Sequence, residues 1–285
     1  MLGGALRHSG RLARSDSTKG NAVITASEIV GRIQGHVGCE WSEKTVDTFK
    51  AGDPEAPVSG VATTFLATLD VLRRAQARSL SFVIAHEPTF YHHLEDVSGL
   101  GDDPVLAAKR AFIEGNGLVV WRFHDHWHRR RPDGINEGMV AALGWGPYRR
   151  EGDAPLFDLP ETTVGELAAD VTRKLGSKAL RVVGDPAMPC SKAALAPGAP
   201  SAITQMRRLG RDDVEVLVTG EAREWETVEY ARDAVALGKH KALILVGHAA
   251  SEEAGMQHMA QWLAGFVDEA PIEFVPAGDP FCPLR

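Results

Sequence analysis

The run W-R-F-H-D-H-W-H at residues 121–128 sets His124, His126 and His128 at alternate positions, with Asp125 between the first two. Imidazoles beside a carboxylate can hold a metal ion or carry protons. What matters is which other donors the chain brings to them. Apolar residues 80–85 lead into His86-Glu87-Pro88, residues 214–218 into Thr219-Gly220-Glu221, and residues 241–246 into Gly247-His248, with Glu252 following. Each of these groups ends a short β-type run, as His124 does. His86, His92, His93, His124, His126, His128 and His248 all fall at or soon after such runs.

In open α/β sheets, ligands bind beyond the carboxyl ends of the strands. Four predicted strands therefore offer polar groups to one edge. His86, His124 and His248 are the expected metal ligands, with His128 a further one. Asp125 and His126 are expected as ligands or as groups that orient the ligand imidazoles. His92 and His93 are expected at the rim of a pocket. Glu252 alone reads as an acid in the first turn of a helix capped by Ser251, where the helix dipole favours it. Taken with His248, it can face the same point. Nitrogen and oxygen donors without thiolate suit Zn, Mn, Fe, Co or Ni rather than Ca. A divalent ion lowers the pKa of bound water towards about 7, and a pair of ions about 3.5–4 Å apart needs roughly five or six ligands, one carboxylate bridging. The chain has enough donors for one or two ions.

Other chemistries find less support. Neither Ser81 nor Ser251 lies in a G-x-S-x-G elbow, and no P-loop or G-x-G-x-x-G is present. Cys39, Cys190 and Cys282 lie far apart without a CxxC pair, which argues against a disulfide framework or a thiolate zinc site and fits a reducing compartment. A formal charge of −7 gives no support for nucleic-acid or membrane-surface binding. No apolar run reaches the roughly 18–20 residues that span a bilayer. A cytoplasmic protein is expected.

The elements that must position these groups alternate along the chain. Helices are predicted over residues 25–37, 103–114, 133–143, 163–175, 225–237 and 251–267, with a short one near 72–77. Strands are predicted over 60–69, 80–85, 118–123, 180–183, 214–218, 241–246 and 272–275. This pattern predicts an α/β chain with parallel or mixed sheets. Residues 1–20 carry Arg7, Arg11 and Arg14 but no apolar signal core, and are expected as a flexible leader. Residues 147–160, rich in Pro, Gly and charge, are expected to connect two lobes. Residues 185–200 contain four prolines and are expected as an extended loop.

The order of these motifs resembles the Nif-three-like dinuclear metal-centre family, also labelled type 2 GTP cyclohydrolase I-like. The family's strand-His-His-Pro is met by V-I-A-H-E-P, with His86 matching the first histidine and Glu87 replacing the second. Its strand ending His-Thr-x-x-Asp is met by F-H-D-H-W-H. His124 is the histidine there, and His128 stands in the aspartate's register ahead of Gly134-Ile135-Asn136. Thr219-Gly220-Glu221 and the closing Gly247-His248 through Glu252 follow the family pattern. The resemblance spans about residues 25–285. It implies metal ligands at His86, Glu87, His124, His128, His248 and Glu252. With the aspartate lost, the bridging carboxylate has moved to Glu87 or Asp125, or only one ion is held tightly. The family also implies two α/β lobes, the second inserted into the first. Residues 21–146 and 241–285 would form the first lobe with the metal site, and 147–240 the second. A homo-oligomer, a toroidal hexamer with its metal sites facing an interior cavity, is implied in the same way.

Two functions follow. A metal-dependent hydrolase would act through metal-bound water on a carbon or phosphorus centre of a small-molecule substrate, with Glu221 or Asp125 carrying protons. The family's cyclohydrolase label would mean opening a purine ring with water, yet no base-recognition pocket is legible. A non-enzymatic metal-binding scaffold or regulatory protein would need the same ligands without a substrate pocket. A histidine cluster with no metal is the remaining reading.

Overall fold

The structure, a computed structural model, describes residues 23–152 and 155–282. The leader expected at residues 1–20 lies outside them. In chain order the strands are β1 (Phe49–Ala51), β2 (Val61–Thr64), β3 (Phe82–Ala85), β4 (Val119–Arg122), β5 (Leu156–Thr163), β6 (Arg181–Val183), β7 (Pro189–Ala196), β8 (Val216–Thr219), β9 (Ala242–Leu245) and β10 (Ile272–Phe274). The helices are α1 (Ala26–His36), α2 (Leu69–Ala77), α3 (Pro104–Gly115), α4 (Asp125–Arg129), α5 (Gly134–Leu143), α6 (Val164–Leu175), α7 (Ala202–Leu209), α8 (Glu229–Ala236) and α9 (His248–Leu263).

The strands form two five-stranded sheets, ordered β1-β4-β3-β2-β10 and β5-β7-β8-β9-β6. In the first, β10, β2, β3 and β4 run parallel and β1 is antiparallel to β4. In the second, β7, β8 and β9 run parallel between the antiparallel edges β5 and β6. Every residue of β2, β3, β4, β8 and β9 is buried. Parallel strands covered on both faces read as continuous apolar runs, and this is why these strands are visible in the sequence.

Strand β10 returns to the first sheet beside β2, so the second sheet is interposed in chain order. The lobe boundary expected at residue 241 is wrong. Residues 242–245 pair with β8 in the second sheet, and the chain crosses back through α9. Two prolyl segments are also corrected. Residues 189–196 form β7 rather than a loop, and 156–163 form β5 rather than a connection. Pro189 opens its strand and Pro160 lies on an edge strand, positions where a missing N–H does no harm.

Helices α5 and α9 run between the two lobes. Ile135 of α5 joins the first core with Met256, Met259 and Leu263 of α9, while Met139, Val140 and Leu143 join the second. Their backbones touch: a Cβ on Gly138 would meet Gly255 Cα at 2.4 Å. No helix among the described residues is long and apolar enough to cross a membrane.

Candidate metal centre

The carboxyl ends of β3, β4 and β9 converge on a cavity of about 430 Å³, lined in part by Glu87, His124, His128, His248 and Glu252. His86 is fully buried against the same group. Immediately after β4 the chain turns into α4, with His124 at its N-cap position. His124 and His128 are therefore four residues apart on a helical turn, where side chains share a face, and His126 points to the other side.

Asp47, buried on the loop before β1, holds this turn. Its Oδ1 accepts from the backbone N–H of His124 at 2.6 Å and of Asp125 at 2.9 Å. Its Oδ2 accepts from His126 N at 2.9 Å and from His126 Nδ1 at 2.6 Å. These are the free donors of a helix start, satisfied here by a distant carboxylate. His126 Nε2 accepts from Ser42 N at 2.9 Å, and its ring stacks on Trp41 with centroids 3.7 Å apart. Both nitrogens of His126 are thus committed away from the cavity.

The remaining imidazoles follow one rule: Nδ1 is tied back and Nε2 faces inward. His86 Nδ1 donates to Phe123 O at 3.1 Å. His124 Nδ1 donates to Asp125 Oδ1, and His128 Nδ1 to Asp133 Oδ2, each at 3.0 Å. His248 Nδ1 lies 3.3 Å from Glu221 Oε1. Metal-ligating histidines are commonly oriented in this way. A carbonyl cannot donate, so His86 carries a proton on Nδ1 and turns Nε2 toward the cavity. That nitrogen lies 3.2 Å from His128 Nε2. Two lone pairs at this distance repel unless a proton or a metal ion sits between them.

Two carboxylates complete the group. Glu252, 2% exposed, places Oε2 at 3.4 Å from His86 Nε2 and 3.1 Å from His248 Nε2, with Oε1 at 3.8 Å from His128 Nε2. Glu87 places Oε1 at 3.3 Å from His248 Nε2 and 3.7 Å from His124 Nε2. Both acids therefore stand between the His86, His124 and His128 group and His248. Ligand atoms of His86, His124 and His128, and those of His86, Glu87 and Glu252, lie within 4.8 Å of one another and could hold a metal ion. Glu87 is fixed by Arg122, whose buried guanidinium donates to Glu87 Oε2 at 3.1 Å, to His86 O at 3.0 Å and to His93 O at 2.6 Å.

Burial raises the carboxyl pKa of Glu87 and Glu252, but the imidazoles outweigh it. His248, His86 and His124 bring Glu87 down to about 2. His86 and His248 hold Glu252 well below the ordinary carboxylate range. Burial lowers His248, yet Glu221, Glu252 and Glu87 carry it up to about 12. The same negative field favours a proton or a metal ion at this point.

Of the two carboxylates weighed for a bridging part, Glu87 faces the imidazoles. Asp125 has both oxygens occupied, by His124 Nδ1 and by Thr45 Oγ1 and Val46 N. His93 lines the cavity, while His92 Nδ1 accepts from Leu94 and Asp96 within its own loop. Asp47, Arg122 and Asp133 carry much of the geometry, and none stands out in the sequence. Asp133 reads there only as the cap of α5, which it also is.

Gly198, on the loop after β7, closes over Glu252. Its φ is +71°, and a Cβ there would meet Glu252 Oε1 at 2.1 Å. Glu221 N donates to Gly198 O at 2.8 Å, so two second-lobe turns support each other above the carboxylate.

No curated protein matches the chain. Its fold is that of several solved structures. Staphylococcus aureus hypothetical protein SA1388 superposes with a TM-score of 0.72 at 16% identity, over 92% of this chain and 100% of that one. A Bacillus cereus protein related to NIF3 gives 0.72 at 15% identity, over 92% and 99%. Reduced HcgD from Methanocaldococcus jannaschii gives 0.65 at 14% identity, over 89% and 98%. Residues 24–279 match the family model of Duf34/NIF3 (NGG1p interacting factor 3), and the chain belongs to that family.

Proposed function

We propose that the protein is a metal-dependent hydrolase of a small-molecule substrate. The observation that carries this reading is the 3.2 Å approach of the His86 and His128 Nε2 atoms, each tied back through Nδ1. A single proton would relieve that contact alone. It would not call for six donors converging from both lobes. His86, His124 and His128 would hold one ion, and His248 with Glu87 and Glu252 a second, the two acids shared between them. The donor set suits Zn, Mn, Fe, Co or Ni. Bound there, a divalent ion acts as a Lewis acid on a substrate oxygen and acidifies water.

The enzyme reading is favoured over a metal-binding scaffold by the space beside the donors. The 430 Å³ cavity lies on one side, and a more apolar one of about 350 Å³, lined in part by Phe65, Ala249, Ala250 and Phe281, on the other. Glu87 and His248 border both. Glu221 is the proton carrier in this reading. Its side chain is 58% exposed, it touches His248 Nδ1, and it borders the apolar cavity. Asp125, with both oxygens occupied, is left to orient His124.

Elemental analysis of the purified protein and of His86→Ala tests the metal. We expect about one or two equivalents of a transition metal in the wild type and a loss of at least about tenfold in the variant. Wild-type protein that stays metal-free after reconstitution ends the reading. If metal is present, a screen of phosphoesters and nucleotides with the loaded protein separates hydrolase from scaffold.

A further inference from the structure

The cavity of about 430 Å³ is also lined by two polar side chains that the donor cluster does not use, Arg208 of α7 and Asn136 of α5. Arg208 Nη1 donates to Leu195 O, and no carboxylate pairs with this guanidinium among the described residues. Arg122 differs in spending its donors on three acceptors, one of them Glu87. A guanidinium has five N–H donors in a planar fork that matches carboxylate and phosphate oxygens. Arg208 therefore keeps most of its fork for something else. Burial lowers its pKa and Asp133 opposes this, but an arginine stays charged.

Asn136 makes no side-chain hydrogen bond among the described residues, and its Oδ1 is buried without a partner. An oxyanion would leave that oxygen as it is; the donors it can use are the two N–H groups of Nδ2, which bond to no described residue. A carboxamide that borders a cavity and has no partner is free to donate to a bound group through Nδ2. The cavity falls within the roughly 300–1,000 Å³ typical of small-molecule sites.

We propose that Arg208 and Asn136 form an oxyanion subsite, which holds a phosphate or carboxylate group of the substrate opposite the histidine and glutamate donors. This deepens the hydrolase reading and rests on it for the identity of the ligand as substrate. The second lobe then supplies binding charge, while the first supplies most of the metal donors. An anion here also has a favourable setting once the divalent ions offset Glu87, Glu252 and Asp133.

The test is calorimetric titration of the metal-loaded full chain with inorganic phosphate and, separately, with acetate, which distinguishes the two oxyanions. Wild type is compared with Arg208→Gln, Arg208→Lys and Asn136→Ala, with metal content measured in each. We expect one of the anions to bind. Arg208→Gln should weaken it at least about tenfold, the range of a hydrogen bond to a charged group. Arg208→Lys should fall between, and Asn136→Ala should weaken it about threefold or more, all with unchanged metal content. Asn136→Ala removes no hydrogen bond, so it keeps the test valid should Arg208→Gln fail to fold. Binding of neither anion, or equal binding by wild type and the variants, overturns the subsite while leaving a measured metal intact. Arg208-dependent binding in a protein that holds no metal keeps the subsite and ends the hydrolase reading instead.

Discussion

The two strand edges that face the central cavity are built differently. The first-lobe edge holds His86, Glu87, His124 and His128, and each side chain is secured by a second bond: to Phe123 O, Arg122, Asp125 and Asp133. The second-lobe edge is mostly backbone, with Gly198 and Gly220 in close contact and Glu221 N bonded to Gly198 O. Apart from His248 and Glu252, which follow β9 and join the donor cluster, its charged groups, Glu221 and Arg208, have few partners. A metal centre needs donors that do not relax when the ion leaves, and the first edge has that rigidity. A substrate site needs room and unspent hydrogen-bonding capacity, and the second edge has those. The difference suggests a division of labour, which substitutions at each edge can break.

The largest effect is expected at Asp47, where the rigidity of the first edge is concentrated. It accepts from three backbone N–H groups and from His126 Nδ1. Asp47→Ala strands these donors at the start of α4. At about 1–3 kcal/mol for each buried donor left unsatisfied, the loss is on the order of 4 kcal/mol. Denaturant unfolding measures it, and metal content should fall as His124 and His128 lose their alignment. Asp47→Asn keeps one acceptor and should lie between. A loss under about 1 kcal/mol in Asp47→Ala would show that α4 stands without this carboxylate.

At the second edge the corresponding substitution is Gly198→Ala. A non-glycine residue in the left-handed region costs about 1–3 kcal/mol, and the new Cβ overlaps Glu252 Oε1. We expect a loss of about 2 kcal/mol together with a lower metal content, since Glu252 must move. Unchanged metal content with reduced stability would mean that the second lobe closes the site without holding Glu252 in place, and would sharpen the contrast between the edges.

The sequence reveals the first edge better than the second, for physical reasons. His86 and His124 follow apolar runs of the first sheet, as His248 alone does in the second, and strand ends are where open sheets place their ligands. Alternation in F-H-D-H-W-H reads as a strand continuing past residue 124. The helical turn that replaces it puts His128 beside His124 and turns His126 away. The force behind that turn is Asp47, some 80 residues earlier in the chain, which no local pattern connects to it. Strand β7 is hidden by its flanking prolines. The placement of β9 in the second sheet is a pairing preference between buried runs that look alike in sequence. Arg122 reads only as the end of a strand, because its three acceptors come from elsewhere in the fold.

A smaller effect tests how far the first edge's reliance on buried side chains extends. The segment after Glu87 is tied by Glu95, whose oxygens accept from Thr89 N and Phe90 N at 2.7 Å each, and by Lys109, whose Nζ donates to Thr89 O. Lys109 is 3% exposed. Burial lowers its pKa to about 8, only partly opposed by Glu95. Below about pH 8 the lysine is charged in both folded and unfolded chains, and the folded state bears the full cost of a buried charge. Between about pH 8 and the unfolded value near 10.4, the unfolded chain binds more protons, so stability rises with pH. From about pH 7 to about pH 9 the gain should be on the order of 1 kcal/mol. It is read as the stability of wild type minus that of Lys109→Met, which cancels groups that titrate in both. A difference that stays flat across this range would mean that Lys109 reaches solvent when charged, and that the segment carrying Thr89 and Phe90 is looser than the donors it follows.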